Sequence, residues 1–366
     1  MKVLFYLHHP SQYHMFKHVI KKMLSLNHEV VVFAVTKDIL TNLLDSEGID
    51  YINNCVNRRK NNKISMFATL VKQDWRLLKY CLKRKPDIML GTSLEICHVG
   101  KLLSIPAFMF CEDDIDIVPL MSKLSYPFAH GIISPIVCSV GKWGKKKIGY
   151  SGYQKLAYLH PKYFQPDINI VKKYIDIGKK YCIIRLVKLD AHHDKGIDGI
   201  NANYLKQIIN KLSDWGNVYI TSEDELPTEF KRYKLSIEYK DIHHILFFAS
   251  LYIGDSQSMA VEAALLGIPN LRFNDFAGRI SVLEELEKKY ELTFAYKTND
   301  FSLLVNKIDE LINTDNLKEI WNQRRSFMLS EKIDLTAFLE WFIVSFPKSK
   351  EICKNKYNNK IYKFDL

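Results

Sequence analysis

The segment Leu251 to Pro269 joins a short apolar run to a helix of small residues through Gly254-Asp255-Ser256, and carries one carboxylate, Glu262, further along. A turn of this kind leaves backbone N–H groups free at a helix N-terminus, where the helix dipole also favours an anion, so a phosphate is the expected ligand. Glu262 is too far down the helix to repel it and close enough to accept hydrogen bonds from an attached sugar hydroxyl. An ordinary serine N-cap would account for the same residues without any ligand.

Further polar clusters follow apolar runs. His8-His9-Pro10-Ser11-Gln12-Tyr13-His14 comes after the first of them and offers His9 or His14 as general base, because imidazole titrates near neutrality. A helix capped by Ser11 with solvated histidines is the alternative. In Arg185 to Asp194, Arg185 and Lys188 could pair with phosphate oxygens, Arg185 in bidentate fashion. His192, His193 and Asp194 suggest a metal, but adjacent histidines rarely reach a common ion, so none is expected. Glu112-Asp113-Asp114 reads as a solvated acidic turn, or as a site where Asp113 orients a sugar hydroxyl or a histidine. Of His243 and His244, which open a helix, one is expected to face the ligand and one to pack. Glu223, at the end of a strand, borders the nucleotide in this reading.

The elements that must position these groups alternate. Strands are expected at Lys2 to Leu7, Glu29 to Val35, Asp87 to Leu90, Ile105 to Phe110 and, last in the first half, Gly131 to Ser134. Helices are expected at Met15 to Leu26 and Lys37 to Glu47. The polar, basic stretch 141 to 166 suggests a linker. The pattern then restarts, with strands at Tyr181 to Leu186, Asn217 to Thr221, Leu251 to Gly254 and Asn270 to Phe273, separated by helices. Helices at Phe301 to Ile312, Leu317 to Leu329 and Leu335 to Phe346 follow. Alternation implies parallel sheets wound on both faces. The expected architecture is therefore α/β, with a Rossmann-like first domain over 1–150, a linker over 151–166, a nucleotide-binding Rossmann-like domain over 167–331, and a C-terminal helix over 332–366 crossing back. Ligands bind beyond the carboxyl ends of strands in such sheets, which places the expected site in a cleft between the two domains.

Composition supports a large core: 366 residues, 47% hydrophobic and 25% charged. No apolar run approaches the roughly 20 residues that cross a bilayer, and the opening residues are too short for a signal peptide, so a cytoplasmic protein is expected. Seven scattered cysteines without a C-x-x-C pair read as reduced thiols. Net charge is +11, concentrated in clusters such as Arg58-Arg59-Lys60 and Lys145-Lys146-Lys147. No nucleic-acid-binding signature accompanies them. Ile64 to Arg84 interleaves apolar and basic residues at helical spacing, as a helix on an anionic membrane would, or as an amphipathic helix packed on its own sheet would.

The segment Ile253 to Pro269 resembles the D-S-G-G-x-x-E-E-A-x-x-x-G-x-P element of nucleotide-sugar enzymes with the glycosyltransferase-B fold, including the non-hydrolysing UDP-N-acetylglucosamine 2-epimerases. Almost the whole chain resembles a bacterial and archaeal family known as a domain of unknown function and related to both groups. The carrying segments include His9-Pro10 to His14, Lys85-Pro86-Asp87, Gly152 to Pro161, Arg185 to His193, Asp241 to His244 and Gly254 to Pro269. The resemblance implies a UDP-sugar or similar donor, its diphosphate at Ser256 to Ser258 and its ribose at Glu262, with Arg185, His192 and His193 in place of the epimerases' His-Arg-Arg-Glu-Asn. Ser258 replaces the second glycine and Val261 the first glutamate, which disfavours epimerisation.

A metal-independent, inverting glycosyltransferase without a cofactor is expected, acting on a lipid-linked or glycan acceptor, with peripheral membrane contact. A nucleotide-sugar epimerase using Asp113, Asp114, His192 or His193, and a non-catalytic nucleotide-sugar-binding module, are the alternatives.

Overall fold

The computed structural model describes residues 1–35, 40–55, 63–187 and 198–356. The chain forms two compact units, one of Met1–Tyr158 with the segment from Ile333, the other of Leu159–Lys332.

Unit 1 opens with β1 (Lys2–Leu7), α1 (Pro10–Ser25), β2 (Glu29–Ala34), α2 (Leu40–Ser46), β3 (Ile52–Asn53) and α3 (Lys63–Lys83). It continues through β4 (Ile88–Gly91), α4 (Leu94–Leu103), β5 (Ala107–Phe110), α5 (Pro119–Ser125), β6 (Gly131–Pro135) and β7 (Lys147–Tyr150). These make one all-parallel sheet in the order β3-β2-β1-β4-β5-β6-β7. Alternation along β1 sends Val3, Phe5 and Leu7 to one face and Leu4 and Tyr6 to the other. The central strands are apolar on both faces because helices cover both.

Two short helices, α6 (Leu156–Leu159) and α7 (Ile168–Val171), lead to β8 (Tyr181–Leu186), α8 (Ala202–Leu212), β9 (Asn217–Ser222), α9 (Ile242–Phe248), β10 (Leu251–Gly254) and α10 (Gln257–Leu266). Then come β11 (Asn270–Phe273), α11 (Ser281–Lys288), β12 (Phe294–Tyr296), α12 (Phe301–Ile312) and α13 (Leu317–Glu331). The sheet of unit 2 is again parallel, in the order β12-β11-β10-β8-β9. Finally α14 (Leu335–Val344) and α15 (Lys348–Lys356) return to unit 1, where Leu335, Phe338 and Phe342 share a core with Phe5 and Phe16 of β1 and α1.

The structure departs from the expected elements at several points. β6 is not the last strand of unit 1, because β7 pairs with it in parallel. Its Lys147 is buried, with Nζ donating to the carbonyls of Ile136 at 2.9 Å and Cys138 at 2.5 Å, so a strand is disguised by a charged residue. The stretch 151–166, expected as a linker, includes Tyr153, Leu156, Ala157 and Leu159, all fully buried. Elements also stand where none was expected, among them β3, α4, α5, α11, β12 and α15, while α2 covers Leu40–Ser46 of the expected Lys37 to Glu47, with 36–39 outside the described residues. Among the described residues no helix is long and apolar enough to cross a membrane.

Candidate functional site

Each sheet has one point where the strand order reverses, between β1 and β4 in unit 1 and between β8 and β10 in unit 2. In open α/β sheets the carboxyl ends of the strands at such a reversal are the usual ligand position.

At the unit 1 reversal, His8 follows β1 and Glu95 lies in the first turn of α4, just beyond β4. His8 Nε2 is 3.4 Å from Glu95 Oε2, an ion-pair distance without hydrogen-bond alignment. The Glu95 side chain is 3% exposed and that of His8 32%. A buried carboxylate requires partners, and Glu95 has two: His8 and the hydroxyl of Tyr6, which also receives a 2.7 Å hydrogen bond from Asn54 Nδ2. Burial and the Glu95 charge hold the Tyr6 phenol far above its ordinary range, so Tyr6 remains a donor. Alongside, His98 Nδ1 meets Asp74 Oδ2 at 2.8 Å, and its Nε2 meets the Leu124 carbonyl at 2.9 Å. Hydrogen bonding to Asp74 raises the His98 pKa, and burial raises that of Asp74.

The expected bases take other places. His9, not Ser11, caps α1: its Nδ1 accepts from Ser11 N at 3.2 Å, while Gln12 Oε1 accepts from His9 N at 3.3 Å, a reciprocal capping box, and also from His8 N at 2.6 Å. His14 is buried in α1, its ring 5.4 Å from that of Tyr158. Asp113 is half-buried beyond β5, and its carbonyl accepts from the Cys111 thiol at 3.4 Å. Sequence reasoning missed His8 and Glu95 because 87 residues separate them, and only the β1–β4 pairing brings them together.

At the unit 2 reversal, Asp255 fastens the two central strand ends. Its carboxylate accepts from Val187 N at 2.8 Å and Ile200 N at 3.4 Å, and its backbone carbonyl accepts from Asn274 Nδ2 at 2.7 Å. Burial raises its pKa to about 6 despite these amides. Gly254 leaves no room for a side chain, since a Cβ there would lie 2.6 Å from the Tyr252 hydroxyl and 2.8 Å from the Arg185 carbonyl. Arg185, at the end of β8, donates from Nη2 to Glu223 Oε1 at 2.6 Å, and its Nε is buried without a hydrogen-bond partner among the described residues. The Tyr252 hydroxyl and Gln257 Nε2 are in the same condition.

Ser256 is the N-cap of α10, its Oγ accepting from Met259 N at 3.3 Å, and Ser258 is exposed in the first turn. Gln257 Oε1 accepts from Arg272 Nη1 at 3.2 Å, and fully buried Arg272 is paired with Glu287 at 3.0 Å. Glu262 Oε1 lies 3.3 Å from His243 Nε2, with both side chains mostly buried. His244 instead accepts from Asp167 N at 2.9 Å. His192, His193 and Lys188 lie outside the described residues. Among the described residues no three His, Cys, Asp or Glu side chains are grouped to hold a metal ion.

The sequence matches the family model described as Protein of unknown function (DUF354) over residues 1–339. The chain belongs to that family. No curated protein matches the DUF354 chain at a significant level. Its fold is shared with solved nucleotide-sugar proteins. The UDP co-structure of MnaA from S. aureus matches with a TM-score of 0.66 at 14% identity, over 96% of this chain and 97% of that one. UDP-GlcNAc 2-epimerase from Neisseria meningitidis, bound to UDP-GlcNAc, matches with a TM-score of 0.59 at 14% identity, over 90% and 99%. MurG from Acinetobacter baumannii gives 0.59 at 13% identity, over 94% and 100%. This is the glycosyltransferase-B fold, which glycosyltransferases and epimerases share, and likeness of fold does not assign a reaction.

Proposed function

We propose that this DUF354 protein is a metal-independent, inverting glycosyltransferase that moves a sugar from a nucleoside diphosphate donor to a polysaccharide or glycolipid acceptor at the cytoplasmic face of the membrane. The observation that carries the reading is the His8–Glu95 pair at the strand reversal of unit 1. His8 takes the proton of the acceptor hydroxyl as the oxygen attacks the anomeric carbon, and the nucleoside diphosphate leaves with the electrons of the glycosidic bond. Glu95, held by Tyr6, orients the imidazole and stabilises the imidazolium, the role a buried carboxylate plays in a catalytic triad. Apo contacts of this kind are often long and tighten when substrate arrives.

Unit 2 supplies the donor side. The first turn of α10, the exposed Ser258 and the unsatisfied donors Arg185 Nε and Gln257 Nε2 suit a diphosphate. Glu262, fixed by His243, suits the ribose hydroxyls. Calorimetry with UDP and other nucleoside diphosphates tests this side: one of them binds the wild type, and Glu262→Ala abolishes the heat. Unchanged affinity overturns the assignment.

The same His8–Glu95 pair could instead remove a proton from sugar carbon 2, as an epimerase would. Incubating UDP-sugars in deuterated water without acceptor separates the two. Deuterium at carbon 2 favours the epimerase and sinks the transferase.

A further inference from the structure

Helix α3 has two apolar faces, and among the described residues of unit 1 only one is packed. Leu77 and Cys81 join the core beneath the sheet, with Thr69 and Gln73 also buried on that side. On the opposite side Ile64, Phe67, Val71, Trp75 and Leu82 follow one another at helical spacings and lie in solvent, 80%, 68%, 47%, 63% and 65% exposed. Single exposed apolar residues need no explanation, but an aligned stripe marks a docking surface.

Charge indicates the partner. Helices α3, α4 and α5 form one layer on this face of the sheet, and carry Lys72, Arg76, Lys79, Lys83, Lys101 and Lys123. Their two carboxylates are turned to other uses, Asp74 on His98 and Glu95 buried beside His8. Lys72, Lys79 and Lys83 are exposed and run along one edge of the stripe, where long stems let their charges reach lipid phosphates while the apolar side chains enter the acyl boundary. Leu102 of α4 and Leu120 of α5, 67% and 64% exposed, extend the apolar surface across the layer.

We propose that the outer face of α3, continued by α4 and α5, docks this protein on an anionic lipid bilayer. The inference is independent of the catalytic reading, because its test uses no substrate. The full chain is co-sedimented with vesicles of phosphatidylcholine alone and with vesicles of equal parts phosphatidylcholine and phosphatidylglycerol. The wild type pellets with the anionic vesicles only, and less as salt is raised. A Phe67→Ser, Trp75→Ser double variant loses about tenfold or more in partitioning, since two large apolar side chains no longer enter the bilayer. So does a Lys72→Glu, Lys79→Glu, Lys83→Glu variant, and circular dichroism checks that both remain folded. Wild-type protein that stays in the supernatant, or variants that are folded and bind as well as wild type, overturns the proposal. So does a dimer that Trp75→Ser dissociates without any vesicle binding, which assigns the stripe to a second copy of the chain.

Discussion

At the residue scale, the side chains that decide the chemistry are those whose burial leaves them one role. Glu95 is enclosed, and its partners are a histidine and a phenol. Changing Glu95→Gln is expected to lower kcat about a hundredfold or more while leaving nucleotide affinity intact. Steady-state kinetics beside calorimetry checks this, and a parallel loss of affinity would contradict it. Asp255 is placed differently, being bonded to amides yet still raised to about 6 from an ordinary 3.8 by burial. Its folded pKa exceeds its unfolded one, so the stability it contributes is present below the unfolded value and is lost as pH rises through about 6. Asp255→Asn removes that dependence. Urea melts at about pH 4 and about pH 7 should show the variant gaining about 2 kcal/mol on wild type across the interval, and a constant difference would refute the burial argument. His8 illustrates what the sequence conceals. Three histidines in seven residues look alike in sequence, but His9 caps a helix and His14 enters the core, and only His8 stands beside Glu95.

Local chemistry and packing compete at the element scale. Gly254-Asp255-Ser256 and Ser256 as N-cap are legible from residue types alone, and Ser256→Ala should cost about 1 kcal/mol in a thermal or urea melt. Arg272, a charged residue within β11, is fully buried, and it bridges Gln257 at the start of α10 to Glu287 of α11. Removing one member of a buried pair strands the other, so Arg272→Ala should destabilise unit 2 by about 3–5 kcal/mol. A loss under about 1 kcal/mol would mean that water already reaches Glu287. The long apolar strands and helices were readable because their apolar runs are nearly unbroken, as in Lys2–Leu7 and Leu335–Val344. β7 was not, because it is only four residues long and opens on Lys147 at the end of a basic stretch, a lysine that satisfies its ammonium with carbonyls instead of water. The amphipathic pattern of α3 was visible in sequence, but which half of its apolar residues faces outward required the sheet.

For the whole molecule, the alternation of strands and helices gave two parallel sheets, and the family and fold likeness agree with that reading. Strand order cannot be read from alternation, and it is strand order that locates the two reversals and so the candidate residues. A ligand bound at one reversal should act on its own unit: a nucleoside diphosphate at about a hundredfold its Kd adds about 2.7 kcal/mol to the unit that holds it. Hydrogen exchange with and without UDP would show new protection at Arg185, Gly254 and the α10 start, and protection confined to unit 1 would move the donor site there.

The return of α14 has a consequence for biosynthesis. Leu335, Phe338, Leu339, Phe342 and Ile343 complete the core that Phe5, Phe16 and Val19 begin. A ribosome delivers them only after every residue of unit 2 has emerged. Unit 2 is continuous in sequence and can fold as it leaves the tunnel, whereas the segment of unit 1 made before it must wait with an open apolar face until α14 emerges. Nascent chains stalled before Ile333 should therefore recruit holding chaperones to the N-terminal half, and chains stalled well past Val344 should release them.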